Sequence, residues 1–332
     1  MSKWGKSPDR PTNNLTADGI HLPALVSGLM FLAIWGITCQ QLWTGNLWTV
    51  ASTFETTQTE NSLHLEQFSL VGEPITLPGI SDNASGLTIN PRHNTLILVN
   101  NNPEQLLEYS HHGELLRVIE LIDFIDTEAI VHLYDDQFAI AEERTGTVSQ
   151  ITLNDQTTRI YRHQSRLLAT IDVIGTNHGI EGLAYHADRQ TLYLVLEDEP
   201  AMLVEIPLDR TTREPVVIAL NDITKPSAGV PGNLDDLSGL HFAVATNSLL
   251  MLSDESKTLV ELDSNGNVTS QISLSWLNLG LGNSVPQAEG VTLDKDGNLY
   301  ICSEPNLLYR FKNTHTAEHQ PPLLAQLETP TP

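Results

Sequence analysis

Five residues capable of chemistry recur at comparable places along the chain: Ser85, Glu128, Glu181, Ser238 and Glu289. Each stands immediately before a small residue, in the motifs ASGL, TEAI, IEGL, LSGL and AEGV. Those small residues, Gly86, Ala129, Gly182, Gly239 and Gly290, are spaced by 43, 53, 57 and 51 positions. A second set closes an apolar run downstream of each motif: Asn101, Glu143, Asp198, Glu255 and Glu304. Carboxylates crowded together repel one another unless a cation or shared protons relieve them. A hard cation such as Ca²⁺ accepts six to eight oxygen ligands of this kind. Brought to one place, the two sets form a ligand or metal site, with Glu128, Glu181 and Glu289 as the expected metal ligands. A catalytic cation there would activate water for hydrolysis of a phosphoester, ester or lactone, with Glu143 or Glu304 as base. The alternative reading is that these side chains hydrogen-bond loop amides and hold neighbouring elements together.

The elements that must position them repeat with the motifs. After each motif come a turn and an apolar run: TLILVNN (95–101), QFAIAEE (137–143), LYLVLED (192–198), LLMLSDE (249–255) and LYICSE (299–304). A third run follows at 106–109, 148–151, 202–206, 259–262 and 307–311, and 111–121 and 264–274 carry a fourth. Asp296-Gly297, Asn265-Gly266 and His112-Gly113 supply hairpin turns. A four-stranded antiparallel unit of about 40–50 residues, repeated around an axis, is the pattern of a β-propeller blade. The expected fold is therefore an all-β propeller over 63–312. Five motifs give five blades, and the extra sequence at 152–178 and 207–234 leaves room for a sixth. The run 68–77 is expected to complete the last blade. The first strand of each blade lines the axial channel, and antiparallel second strands return to the same end, so both sets of polar residues should converge at one channel mouth.

The run ISDNASGLTINPRHNTLILVNN, the DTEAI and GIEGLAY motifs, LSDESKTLVELDSNG and PQAEGVTLDKDGNLYICSEPNLLYRF together resemble the SdiA-regulated family. The resemblance spans about residues 63–312 and implies a bacterial β-propeller behind an N-terminal membrane or signal segment. It implies little about activity.

Ahead of the repeats, residues 22–43 (LPALVSGLMFLAIWGITCQQLW) carry no ionisable side chain. At about 1.5 Å per residue this helix would cross a hydrocarbon core of roughly 30 Å. Trp35, Trp43 and Trp48 cluster at one end, as in an aromatic belt. Small residues suited to cleavage lie only at 49–51, well past the apolar run, which favours a retained anchor over a removed signal. The division expected is a cytoplasmic head (1–21), a transmembrane anchor (22–43), a linker (44–62), the propeller, and a tail (313–332) with one short apolar run at 323–327. The head holds Lys3, Lys6 and Arg10 against Asp9 and Asp18, which places it inside a bacterial inner membrane and the body in the periplasm.

With 17 basic and 41 acidic residues the chain has a net charge of −24. That surface repels phosphate backbones, which argues against nucleic acid and for cations or cationic ligands. The expected function is a membrane-tethered module that binds a small ligand or a protein, with Ca²⁺ at the channel mouth, or alternatively a metal-dependent hydrolase. No nucleophile-elbow, zincin or P-loop motif occurs. Asp294-Lys295-Asp296-Gly297-Asn298 begins like a calcium loop but lacks the later glutamate and reads as a hairpin turn.

Overall fold

The computed structural model describes residues 56–57, 59, 61–171, 179–196, 201–211, 214–218, 231 and 234–314. The anchor at 22–43, the tail run at 323–327, and Asp198 lie outside the described residues. Among those described, no helix is long and apolar enough to cross a membrane.

Two short strands, β1 (Phe68–Leu70) and β2 (Ile75–Thr76), precede the first motif. Blade 1 follows as β3 (Ala84–Asn90), β4 (Thr95–Asn101), β5 (Glu104–Tyr109) and β6 (Leu115–Ile122). Blade 2 begins with β7 (Thr127–Tyr134), β8 (Gln137–Glu142) and β9 (Thr147–Thr152), and the chain then forms β10 (Arg159–Tyr161) and β11 (Arg166–Ile171). Blade 3 comprises β12 (Ile180–His186), β13 (Thr191–Leu196) and β14 (Met202–Pro207), followed by β15 (Val216–Ile218). Blade 4 is β16 (Gly239–Ala243), β17 (Ser248–Ser253), β18 (Thr258–Leu262) and β19 (Val268–Ser273). After a one-turn helix, α1 (Trp276–Leu279), blade 5 is β20 (Ala288–Leu293), β21 (Leu299–Ser303) and β22 (Leu307–Asn313).

These strands form five separate sheets among the described residues. Their innermost strands, β3, β7, β12, β16 and β20, neighbour one another in a closed ring, with β20 against β3. The protein is a five-bladed β-propeller. Both β1 and β2 pair antiparallel with β22, so the N-terminal segment finishes the last blade, as the run 68–77 led one to expect.

The surplus sequence that left room for a sixth blade has another use. β10 pairs in parallel with β6 of the preceding blade, and only afterwards does β11 return to pair with β9. β15 likewise pairs in parallel with β11 of blade 2. The chain steps back one blade before moving on.

Apolar clusters fill the five seams between adjacent blades. On β4, Leu96 and Leu98 pack against Tyr300 and Cys302 of blade 5, whereas Ile97 and Val99 pack against Phe138 and Ile140 of blade 2. Both faces of a middle strand are therefore buried, which is why these strands read as continuous apolar runs instead of alternating ones. Buried Glu261, on β18 of blade 4, pins the segment that leads into β1. It accepts hydrogen bonds from the hydroxyls of Ser62, Ser248 and Ser270 and from the Leu63 N–H. Burial alone would raise its pKa, but those bonds outweigh it and hold the carboxyl below its ordinary value.

Candidate channel-mouth site

The repeated glycines are a packing requirement. A Cβ added to Gly86 would lie 2.7 Å from the Glu128 carbonyl oxygen, and one on Gly290 would lie 2.6 Å from the Leu87 nitrogen. Neighbouring innermost strands thus approach backbone to backbone, leaving on the axis a space of only about 10 Å³ lined by Gly86, Gly182, Gly239 and Gly290.

Immediately before four of the five small residues the inner strand carries a β-bulge: the register slips between Ala84 and Gly86, Thr127 and Ala129, Ile180 and Gly182, and Ala288 and Gly290. In blade 4 the Ser238 N–H donates to the Leu252 carbonyl, opposite which Gly239 also sits. Ser85, Glu128, Glu181 and Glu289 are the extra residues of their bulges, with Ser238 in the matching place. A bulge re-aims a side chain at the rim of a sheet, which is how five separate strands direct polar groups to one end.

The mouth is uneven. On the side of blades 2 and 3, carboxylates converge: one oxygen each from Asp126, Glu128 and Glu143 lies within 4.8 Å of the others. Glu143 and Glu181 flank Gly179, where an added Cβ would fall 2.4 Å from Glu143 Oε1 and 2.5 Å from Glu181 Oε1. Asn101 of blade 1 donates to Glu128 Oε1 at 2.5 Å, and the Ser85 hydroxyl donates to the same carboxylate. On the side of blades 4 and 5, backbone groups take up the polar atoms. Ser238 donates to the Ala288 carbonyl at 2.6 Å, and Asp254 Oδ1 accepts the Ala288 N–H at 2.7 Å. For Ser238, the tie between blades is the role that the geometry gives.

Electrostatics follow this crowding. Burial, reinforced by Glu304, Glu128 and Asp254, pushes Glu289 up to about 9 in spite of a hydrogen bond with Gln287. Burial also raises Glu128, with Asp126 adding to the effect and Asn101 and Ser85 opposing it. Glu304 is raised by burial and then by Asp82 and Glu128. Mutual repulsion links the blade 5 carboxyls to the blade 2 cluster.

The expected metal ligands are thus brought together only in part. Glu128 sits in the tight cluster, Glu181 adjoins it through Glu143, and Glu289 is coupled to it electrostatically. Of the downstream set, Asn101, Glu143 and Glu304 reach the mouth. Glu255 is exposed, and its predecessor Asp254 takes the inward place in blade 4. Asp126, absent from the sequence expectations, stands two residues before Glu128 with φ 58°. Asn83 holds the matching position in blade 1 at φ 63°. Asn and Asp tolerate this left-handed conformation, and the recurrence two residues before the bulge was the available signal. The Asp294 turn is a hairpin, its carboxylate accepting the N–H groups of Asp296 and Asn298.

The family model described as SdiA-regulated matches residues 60–312. The chain belongs to the SdiA-regulated family. Solved structures similar to this SdiA-regulated propeller include the glutaminyl cyclase of Myxococcus xanthus, at 13% identity and TM-score 0.45 over 74% of this chain and 95% of that one. A gluconolactonase from Xanthomonas campestris matches at 13% identity and TM-score 0.42, over 73% of this chain and 91% of that one. A streptogramin B lyase matches at 11% identity and TM-score 0.41, over 73% and 97%.

Proposed function

We propose that this protein is a membrane-tethered propeller outside the cytoplasm, which holds a divalent cation, Ca²⁺, at its channel mouth and there binds a small ligand or a partner protein. The observation that carries the reading is the convergence of Asp126, Glu128 and Glu143. The donors are all oxygens, which suits a hard cation, and Glu181 and Asn101 stand close enough to add to the set. A cation would also favour the ionised forms of carboxyls that are otherwise raised.

The test is a melting curve in chelator and in Ca²⁺. A ligand that binds only the folded state at about 100 times its Kd adds roughly 2.7 kcal/mol. For a domain of this size that is a rise of about 5 °C. Glu143→Gln should remove most of the rise, while Glu120→Gln, in an exposed ion pair with Arg159, should leave it intact. Identical curves with chelator and Ca²⁺ for the unaltered protein would refute the cation. Tethering rests on residues 22–43 and is tested separately: the full chain should stay with membranes after a carbonate wash, and a chain beginning at Leu63 should be soluble.

A second reading, a metal-dependent hydrolase of phosphoesters, esters or lactones, draws support from Glu289, a carboxyl that keeps its proton beside the cluster and so can donate one. Turnover of generic phosphoesters or lactones that needs the metal and is lost in Glu181→Gln would favour the enzyme over the binding module.

A further inference from the structure

Blades 1 and 2 each carry a fifth strand in parallel register, and it lies at the same place in both. β10 pairs with the last three residues of β6, and β15 with the last three of β11. Both reach a seam between blades: Ile160 is buried in the apolar cluster between blades 1 and 2, and Val216 and Ile218 pack on the one between blades 2 and 3. Blade 4 has no fifth strand among the described residues, because the chain passes from β19 through α1 directly to β20. The last three residues of β19, 271–273, border a groove of about 520 Å³ between blades 4 and 5. Its apolar wall is made by Phe68 and Leu70 of β1 with Ile272 and Leu279, and of these Leu70 and Leu279 are only partly covered. Ser273 adds backbone groups. The Leu274 N–H donates to the Lys257 carbonyl at 2.8 Å, toward β18, so in an extended strand the N–H and C=O of Ser273 turn the other way. At its start β19 already holds the chain's own leading segment, where the Thr57 N–H donates to the Val268 carbonyl at 2.8 Å.

A sheet edge with apolar hollows beside it is a surface to which an extended peptide adds as a strand, the main chain supplying bonds and alternate side chains the selectivity. From the match between this groove and the places filled by β10 and β15, we infer that the groove between blades 4 and 5 takes an extended segment of a partner protein, parallel to β19. Charge selects the segment. Among the described residues the lining carries one charged side chain, Glu66, and no basic one, in a chain of net charge −24. The partner segment is therefore neutral or basic, with an aliphatic or aromatic side chain for the wall at Leu70 and Leu279. β10 is itself of this kind, as Arg159-Ile160-Tyr161 followed by Arg162. The site lies on the outer rim, and its occupation does not depend on a cation at the mouth.

The probe is a labelled peptide TTRIYRHQ, the sequence of residues 157–164, whose fluorescence anisotropy is followed as the full chain is added in chelator. Saturable binding is expected. In the fold the Glu120 N–H donates to the Thr158 carbonyl at 3.0 Å, so in parallel register residues 158, 160 and 162 turn their main-chain groups to the receiving strand. Methyl groups on the backbone nitrogens of the probe's isoleucine and second arginine should weaken binding by about 10-fold or more. The same groups on its first arginine and tyrosine should leave binding unchanged. Ser273→Pro removes an N–H that faces the groove and none that faces β18, and should abolish binding. Ser69→Lys, exposed at the rim of the groove, should weaken the basic probe by about 2- to 5-fold and leave the melting point where it is. Glu143→Gln at the mouth should change nothing, which separates this site from the cation. Absence of saturable binding would overturn the inference, as would equal weakening by the two methylation patterns. So would equal binding of a probe with glutamate in place of both arginines. A full chain that sediments as a dimer and becomes monomeric in Ser69→Lys would give the groove to a second copy, and would also overturn it.

Discussion

Replacing Glu289 by glutamine should stabilise the protein when metal is absent, and increasingly so as pH rises. In an unfolded chain this carboxyl ionises near its ordinary 4.5, whereas in the folded protein it keeps its proton up to about 9. Below pH 4.5 both states carry the proton and the group contributes nothing. Above it the unfolded state ionises and the folded state does not, so stability falls with pH until the folded group titrates. At neutral pH the cost depends on the gap between 4.5 and 7 and hardly on where above 8 the folded value lies. Each unit is about 1.36 kcal/mol, which gives roughly 3 kcal/mol. Glutamine carries no charge to be desolvated, but it gives up part of the hydrogen bonding with Gln287, worth about 1 kcal/mol. A net gain of about 2 kcal/mol at neutral pH is therefore expected, growing by up to about 1.4 kcal/mol per pH unit toward pH 8. Urea titrations in chelator at about pH 5 and about pH 8, read as the midpoint at constant m, measure it directly. If Glu289→Gln were no more stable than the unaltered protein at the higher pH, the carboxyl would have to be ionised and paired in the fold.

The close approach of inner strands makes Gly290→Ala costly, because its Cβ would meet the Leu87 nitrogen at 2.6 Å. A loss of about 1–3 kcal/mol or more by denaturant titration is expected, typical of overpacking. Gly179→Ala should act differently, since the atoms it meets are the ends of the Glu143 and Glu181 side chains. It should abolish the Ca²⁺-dependent rise in melting temperature while changing the chelator melting point by only a few degrees. Glu261→Gln should cost about 1–3 kcal/mol near neutral pH, because the hydroxyls and N–H that Glu261 accepts lose an ionised partner. As the Glu261 carboxyl is held low, that difference should shrink as pH falls through its folded pKa, which acid titration of the two proteins would show.

The blades were legible because each middle strand is apolar on both faces and each inner strand opens on the same motif. The polar positions at the rim were legible for a related reason, as each directly precedes the small residue at which neighbouring inner strands meet. β10 and β15 were not, since strands of three residues, one with a single buried side chain and the other with none, carry almost no periodicity. Their partners lie in the blade before, which no local pattern encodes. Asp126 escaped because an aspartate in a turn reads as turn chemistry, and the left-handed backbone that aims it becomes visible only in three dimensions. Glu255, expected at the mouth, is exposed while its neighbour Asp254 faces inward, because a one-residue offset at the end of a strand reverses which side chain faces inward.

The backward step of β10 and β15 bears on the order in which the molecule can be completed during synthesis. When β3 to β6 have left the ribosome, the outer edge of β6 is still open, and it is covered only after the inner three strands of blade 2 have been made. Blade 2 waits in the same way for β15, which follows the described strands of blade 3. Blade 5 takes its outermost strand from the first segment made, so β1 must stay unpaired until β22 appears. Open strand edges invite pairing with other chains, so a half-made molecule is more exposed to aggregation than a strictly modular one would be. The interlock also sets where the chain can be cut or spliced. A break between blades 1 and 2 would take from the first the strand that finishes it, and one between blades 2 and 3 would take β15 from the second, so exchange with another propeller calls for boundaries that keep 84–218 together.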